Sequence, residues 1–212
     1  MDRYIIGPKP RTVLSYFLPD SGLQTSINES EVVALPRVEP ERSLISIFCD
    51  GACINNGRRG ARASYGVVAY RGGGGIGVEL YTAAQVLSSA EPQTNQRAEL
   101  RGLAAALAYA ETAAHAGATT IHIYTDSEYA LNCLTKWITG WQRNGWRRSD
   151  GSPVLHRDII EPFYDTWNAL RGIVFAHHVT AHTGRDDAIS RGNERADMLA
   201  RNALSNSISS YF

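Results

Sequence analysis

The sequence predicts an α/β fold in which helices pack on a mixed β-sheet. Two observations support this class. Three strand-like runs follow one another near the start of the regular region, and four glycines at residues 72–75 between the second and third are typical of a hairpin. The remaining chain alternates between helical and strand-like patterns, which favours strands joined by packed helices.

The predicted elements cover residues 44–204. Strands are predicted at residues 44–50, 64–71, 76–83, 119–125 and 172–179. Helices are predicted at residues 93–116, 129–137, 158–170 and 193–204, the first of them rich in Ala and Leu at helical spacing. Gly117 is a suitable end for the first helix, and Asp126-Ser127 is a suitable start for the second.

The N-terminal 43 residues differ from the rest in composition. They hold five of the eight prolines in a chain of 212 residues, so an irregular or partly disordered arm is expected. No apolar run approaches the ~20 residues needed to span a bilayer, and no secretory signal is recognisable. Three cysteines without a Cys-x-x-Cys pair fit a reducing interior, in the cytoplasm, the nucleus or a mitochondrion.

The formal net charge of zero hides two local basic stretches. Residues 51–78 contain four arginines and no acid, and residues 135–149 contain one lysine and three arginines and no acid. Such stretches favour local binding of a polyanion.

Four acids stand at informative places. Asp50 ends the first strand, Asp126 ends the fourth, and Glu99 and Asp197 lie inside predicted helices. If the first and fourth strands are neighbours, their carboxylates gather, and gathered carboxylates repel one another unless a cation lies between them. Oxygen ligands of this kind suit Mg²⁺ or Mn²⁺. Taken singly, Asp126 is also a good helix N-cap, and Glu99 an ordinary surface residue.

Several short motifs occur together and in a fixed order. They are residues 49–52 with Asn56-Gly57, then residues 94–100, 124–127, 179–184 and 193–200. This ordered set resembles the motifs of type 1 ribonuclease H, and the similarity runs from about Ser43 to Leu204. The resemblance implies a catalytic domain at residues 44–205, which leaves the proline-containing arm at residues 1–43 and a tail at residues 206–212.

The resemblance also implies a fold and an activity. The fold is a five-stranded mixed sheet, three strands antiparallel and then two parallel, with helices on both faces. The activity is endonucleolytic hydrolysis of the RNA strand of RNA/DNA hybrids by a two-metal mechanism, leaving 5′-phosphate and 3′-hydroxyl ends. Two Mg²⁺ ions, or Mn²⁺ as a substitute, would be held by Asp50, Glu99, Asp126 and Asp197. His182 matches the family's mobile histidine, with a role in proton transfer or product release.

By the same resemblance, further residues contact the hybrid. Asn56, Asn95 and Gln96 match positions that bond base edges, and Cys53 matches one near the RNA sugars. On the DNA strand, Thr94 matches a phosphate contact, and residues 136–149 resemble a basic protrusion with Trp137, Trp141 and Ser149 lining its channel. The cations of this segment are Lys136, Arg143, Arg147 and Arg148. The partner is therefore the nucleic acid, with neither a membrane nor an obligatory protein partner, and a monomer is expected.

Three features depart from the family pattern. The interval from His182 to Asp197 is long, with residues 185–191 as the extra segment. His156 stands where an Asn that bonds a DNA phosphate is usual, and a protonated imidazole is one possible substitute. The arm does not resemble the hybrid-binding module that many eukaryotic relatives carry.

Three other functions remain open from the sequence. The first is another nuclease or transferase of the same fold, although the complete motif at residues 94–99 argues against it. The second is a hybrid-binding protein without activity, which would be expected to have lost at least one acid. The third is the nuclease part of a reverse transcriptase, although the start at Met1 and the short arm favour a free-standing enzyme.

Overall fold

The structure, a computed structural model, describes residues 43–72, 77–181 and 184–209. The predicted arm, apart from Ser43, and the glycines at the centre of the predicted hairpin lie outside these residues. No helix in the described ranges combines the length and the apolar character that crossing a bilayer requires.

Within the described residues, five strands form one mixed sheet in the order β3-β2-β1-β4-β5. β1 pairs antiparallel with β2, and β2 pairs antiparallel with β3, whereas β4 runs parallel to β1 and β5 runs parallel to β4. The predicted sheet is therefore confirmed. The strands are β1 (Ser43–Ile54), β2 (Arg62–Arg71), β3 (Val78–Val86), β4 (Ala118–Thr125) and β5 (Val174–His178).

The helices follow the predicted order but differ from it in two places. The predicted helix at residues 129–137 is longer and contains a π-helical turn (Cys133–Trp137) between α2 and α3. The closing helix begins at residue 188 rather than 193, so much of the extra segment at residues 185–191 is helical. The helices are α1 (Asn95–His115), α2 (Glu128–Asn132), α3 (Ile138–Arg143), α4 (Arg157–Ala169) and α5 (Ala188–Ser209).

Alternation along β1 builds a core on both faces of the sheet. Ile47 and its alternate neighbours belong to the large core cluster that includes Leu103 of α1. Phe48 points to the opposite face and packs with Val68 and with Ala196 of α5. Because successive side chains of a strand point to opposite faces, one central strand serves both helix layers. The predicted placement of helices on both faces is confirmed.

Two glycines let the helices approach the central strands closely. A Cβ atom at Gly51 would clash with the backbone nitrogen of Glu99 on α1, and one at Gly66 would clash with the backbone of Ala196 on α5. Gly66 is the cross-strand partner of Asp50. Both helices therefore cross the sheet at the level of Asp50, since only a residue without a side chain permits such contact.

Candidate active site

The structure brings three of the predicted acids together. Asp50 lies on β1, Asp126 directly follows β4, and Glu99 lies on α1. One carboxylate oxygen from each lies within 4.8 Å of those of the other two. Ser127, not Asp126, caps α2, since its side chain accepts a hydrogen bond from the backbone nitrogen of Ala130. The carboxylate of Asp126 is therefore available to the cluster.

Burial and mutual repulsion disfavour the charged forms of these acids. Asp50 is 6 % exposed and Glu99 is 8 % exposed. Burial, followed by the nearby Asp126 carboxylate, raises the pKa of Asp50 to about 7, although a 2.7 Å hydrogen bond from the Gly51 backbone opposes the rise. Burial, and then the carboxylates of Asp50 and Asp126, raise the pKa of Glu99 well above its ordinary value. Such a cluster is stabilised by a cation.

The oxygen atoms present fit a divalent cation. Oε1 of Glu99 accepts a hydrogen bond of 3.2 Å from Nδ2 of Asn95, whereas its Oε2 is buried and has no hydrogen-bond partner among the described residues. An unsatisfied buried carboxylate oxygen is costly unless a donor or a metal ion completes it. Three carboxylates without nitrogen or sulfur ligands are the donor set that Mg²⁺ and Mn²⁺ accept.

Asp197, the fourth predicted acid, lies at the edge of this cluster. It is close enough to Asp50 to raise the pKa of that acid, but it is not one of the three acids that share a common centre. Its Oδ1 also accepts a hydrogen bond of 2.6 Å from Nε of Arg201, one turn further along α5. Asp197 is thus placed beside the cluster and already has a cationic neighbour.

Two further side chains hold Asp126 from outside the cluster. Nδ2 of Asn193 on α5 donates to Oδ2 of Asp126 at 3.1 Å, and Nε2 of His178 donates to the backbone oxygen of Asp126 at 3.1 Å. Oδ1 of Asn193 is buried and, within the described part of the chain, unpartnered. The predicted catalytic residue His182 lies outside the described residues, so its role stays a prediction.

A cleft of about 460 Å³ adjoins the acids and contains predicted nucleic-acid contacts. Cys53 and Asn95 line it together with Asp197. The backbone nitrogen of Asn95 donates to Oδ1 of Asn56 at 3.2 Å, which ties the turn after β1 to the start of α1. Turn chemistry also holds here, because Asn55 next to Asn56 has a positive φ of 52°.

The other two predicted contacts of this region lie on the first turn of α1. Thr94 is the N-cap, and its hydroxyl oxygen accepts from the backbone nitrogen of Arg97 at 3.2 Å. The Gln96 side chain is exposed. The cleft, the turn and this helix start therefore lie next to one another, beside the carboxylates.

The basic segment, residues 136–149, presents some of its tryptophans and buries another. Trp137 is 39 % exposed, and its ring centroid lies 5.7 Å from that of Trp141. Trp146 is buried in the core, with the Arg157 guanidinium 4.8 Å from its ring centroid. Trp146 therefore contributes to the core rather than to the exposed surface of the segment. The remaining predicted contacts of this segment, all exposed, are Arg143, Arg147, Arg148 and Ser149.

Comparison with known proteins identifies the family. The RNase H family profile matches residues 42–205, well over half of the chain. The chain belongs to the RNase H family. Ribonuclease H of Syntrophotalea carbinolica is 36 % identical over 172 residues, covering 80 % of this chain and 96 % of that protein. Ribonuclease H1 of Rattus norvegicus is 32 % identical over 190 residues, covering 86 % of this chain but only 59 % of the rat protein.

A solved structure agrees with the RNase H assignment at the level of the fold. The RNase H domain of prototype foamy virus has a TM-score of 0.62 and 20 % sequence identity, covering 76 % of this chain and 94 % of that domain. Membership of the RNase H family places this chain among hydrolases of the endoribonuclease class. All four predicted acids lie within the residues that the family profile matches.

Three residues of this RNase H chain contribute to the site in ways that sequence reasoning did not assign. Asn193 lies four residues before Asp197, so helical spacing puts both on one face, and this signal was available. Arg201 follows Asp197 at the same spacing. Arg97, inside the motif at residues 94–100, had no such signal, because two of its partners, His156 and Asp158, lie 59 and 61 residues away along the chain.

Arg97 also changes the interpretation of His156. Its Nη1 lies 3.4 Å from Nδ1 of His156, the residue before α4. Burial, and then the Arg97 cation, lower the pKa of His156 below its ordinary value. The hypothesis that a protonated imidazole replaces the usual Asn is therefore not favoured, because a second cation would be buried beside the first.

Proposed function

We propose that this protein cleaves the RNA strand of RNA/DNA hybrids endonucleolytically and leaves 5′-phosphate and 3′-hydroxyl ends. The observation that carries the proposal is the cluster of Asp50, Glu99 and Asp126, whose buried Glu99 oxygen has no hydrogen-bond partner among the described residues. Asp197 completes the set of acids from α5. Family membership supports the substrate class, and the carboxylates support the chemistry.

Each acid has a defined task in this proposal. Asp50, Glu99 and Asp126 would hold divalent cations, with Asp197 as the ligand at the edge. Bound there, two Mg²⁺ ions, or Mn²⁺, would activate water and stabilise the leaving oxygen in an in-line displacement at phosphorus. Asn95 orients Glu99, and Asn193 orients Asp126. His182 would move a proton or assist product release.

The surfaces around the acids suit the two strands of a hybrid. Asn56, Asn95 and Gln96 carry amides that donate and accept, so they can contact bases without demanding one sequence, while Cys53 lies where RNA sugars would pass. On the DNA strand, Thr94 and His156 would contact a phosphate. The basic segment would hold the same strand through Trp137, Trp141, Arg143, Arg147, Arg148 and Ser149. We propose that a monomer suffices.

A cleavage assay tests this function directly. Labelled RNA/DNA hybrid is incubated with Mg²⁺ or with EDTA, beside single-stranded RNA, double-stranded RNA and double-stranded DNA. We expect cleavage of the RNA strand of the hybrid alone, lost in EDTA, with 5′-phosphate ends. Hybrid binding without cleavage in Mg²⁺ or Mn²⁺ would contradict catalysis and favour a binding protein.

A substitution assigns the activity to the site. Asp126→Asn removes one carboxylate charge at nearly constant volume and should abolish cleavage without loss of the fold, as judged by circular dichroism. Asp165→Asn is the matched control, because Asp165 is an exposed acid of α4. Full activity of Asp126→Asn, or equal loss in both variants, would place the chemistry elsewhere.

A further inference from the structure

The guanidinium of Arg97 is buried and surrounded by acceptors. Its side chain is 7 % exposed. Nε donates to Oε2 of Glu91 at 2.7 Å, and Nη1 and Nη2 donate to the two oxygens of Asp158 at 3.1 and 2.6 Å. A bidentate pair of this kind fixes both the position and the plane of a guanidinium. Any further group in contact with Nη1 therefore faces N–H donors whose positions are fixed.

That group is Nδ1 of His156, 3.4 Å from Nη1. A guanidinium carries donors only and cannot accept a hydrogen bond. An N–H at Nδ1 would therefore point at another N–H, and an imidazolium would add a second cation. The neutral ring with an unprotonated Nδ1 is the form that satisfies this contact, and in that form the proton is on Nε2.

The surroundings of the ring allow this form, and the residue is only partly buried. Three groups with ionisable or polar character face it from the packed elements, namely Arg97 of α1, Asp158 of α4 and Tyr129 of α2, whose ring meets it edge-on at 6.5 Å. Among the described residues no group accepts a hydrogen bond from Nε2. The His156 backbone has φ 62°, a conformation that His and Asn adopt more readily than most residues.

We propose that Arg97 is a positioning residue that holds His156 as the neutral Nε2–H tautomer, so that this ring gives a DNA-strand phosphate a neutral N–H donor. The inference rests on the proposed function for its ligand. It also explains how His replaces an Asn, because an amide NH₂ and an Nε2–H are both uncharged donors. The lowered pKa of His156 agrees with it.

The tautomer is measurable without a ligand. In the full chain labelled with ¹⁵N at histidine, long-range ¹H–¹⁵N correlation distinguishes a protonated from an unprotonated ring nitrogen. The His156 signals are assigned by their loss in His156→Gly, a substitution that the positive φ tolerates. We expect a protonated Nε2 and an unprotonated Nδ1 from pH 6 to pH 8. A protonated Nδ1, or an imidazolium at pH 7, would overturn the proposal.

Binding tests the role toward the phosphate. Affinity for an RNA/DNA hybrid is measured in Mg²⁺ at several salt concentrations and at pH 6, 7 and 8, with Asp126→Asn present throughout to prevent cleavage. His156→Asn should bind within about threefold of the parent, whereas His156→Gly should bind about tenfold more weakly, the loss of one hydrogen bond to a charged group. Because the ring is uncharged, both should keep the parent's salt slope.

A cationic His156 would give a different pattern. The affinity advantage of the parent over His156→Asn would then be larger at pH 6 than at pH 8. In addition, His156→Gly would lower the salt slope by about one. Either result would overturn the proposal. For Arg97, the variant Arg97→Lys keeps a cation but loses the planar fork, so the ring should titrate at higher pH and binding should become pH-dependent. An unchanged pH profile of binding in folded Arg97→Lys would show that Arg97 does not determine the protonation state of the His156 ring.

Failure of this inference is distinguishable from failure of the proposed function. If the parent protein binds no hybrid at any pH, the proposed substrate is wrong. The ¹H–¹⁵N correlations of the His156 ring still test whether Arg97 determines the tautomer. If hybrid is bound and cleaved but the ring is protonated at Nδ1, the function stands and the inference falls.

Discussion

Asn193 illustrates how one polar side chain can position an acid of the cluster. Its amide group donates to Asp126 and leaves a buried oxygen without a partner among the described residues. Amide and carboxylate are nearly isosteric, so Asn193→Asp tests charge rather than shape. We expect at least a tenfold loss in the rate of hydrolysis, which corresponds to about 1.4 kcal/mol, because a further carboxylate would repel Asp126. Steady-state kinetics measure it, and exposed Asn202→Asp on the same helix should be unaffected.

Asp50 should lower stability in the absence of metal. Its pKa in the folded protein is about 7, against an ordinary value of 3.8, so the folded state holds the proton more tightly than the unfolded state. The free energy of unfolding therefore falls as pH rises from about 4 to about 7, and stays low above that range. Asp50→Asn mimics the protonated form and should stabilise the metal-free protein at pH 8.

The gain should approach about 4 kcal/mol at most, because moving a pKa by one corresponds to about 1.4 kcal/mol. Urea unfolding in EDTA measures it, and the gain should be smaller at pH 5. The same variant should be inactive as a nuclease. Equal stability of the two proteins at pH 8 would mean that Asp50 is not destabilised by its neighbours. Asp165→Asn, at an exposed position, should change nothing.

At the scale of elements, the crossing of α5 over β2 depends on a missing side chain. Gly66→Ala would place a methyl group against the backbone of Ala196, which cannot move independently of its helix. We expect a loss of about 1–3 kcal/mol in the free energy of unfolding, as for other overpacked sites. Hydrolysis should fall as well, because Asp197 lies on the displaced helix.

Gly140→Ala is the matched control for that substitution. Gly140 lies inside α3, and its added Cβ would meet nothing within 4 Å. Alanine is a better helix former than glycine, so a gain of about 0.5–1 kcal/mol is expected. Thermal and urea unfolding of both variants test the contrast, which would fail if Gly66→Ala were as stable as the parent.

The basic segment, residues 136–149, is expected to contribute to hybrid binding through its charges. Replacing Arg143, Arg147 and Arg148 with Ala should weaken hybrid binding and flatten its salt dependence. With fewer phosphate contacts, fewer counterions are released from the nucleic acid on binding. Fluorescence anisotropy across a salt series measures both. Arg171→Ala, just after α4 and before β5, lies at the far end of the parallel strands from the acids and should leave the slope unchanged. An unaltered slope in the triple variant would show that the segment does not contact the DNA strand.

At the scale of the molecule, the sheet and the acid cluster were predictable for one physical reason. Alternation and turn residues define strands locally, and once β1 and β4 are neighbours, Asp50 and Asp126 must meet. The π-helical turn was not predictable, because a wider turn leaves no separate pattern in Cys133–Trp137. The first residues of α5, 188–192, were missed because residues 184–192 are mostly polar and show no clear apolar spacing. The contact of Arg97 with His156 joins residues 59 apart, and no local spacing reports it.

Metal binding should stabilise the whole fold. A ligand that binds only the folded state adds about 2.7 kcal/mol at a concentration one hundred times its Kd. We therefore expect Mg²⁺ or Mn²⁺ to raise the melting temperature over that in EDTA, and more so at pH 8 than at pH 5.5, where protons compete for Asp50. Differential scanning calorimetry of the full chain measures this. The absence of any rise, or an equal rise in Asp50→Asn, would contradict metal binding at the acids.

The π-helical turn has a consequence for how the contact surface can change. A π turn contains one residue more than an α turn, and each residue of an α-helix turns the chain by about 100°. The five residues of the wide turn rotate the chain about as far as four residues of α-helix, so deleting one residue between Cys133 and Trp137 would let the segment rewind as α-helix while Trp141 and the arginines beyond it keep nearly the same direction. Deleting a residue from the α-helical part of the segment would instead turn everything after it by about 100°. The π-helical turn is thus the place in this segment where the chain can change length without redirecting the exposed side chains beyond it.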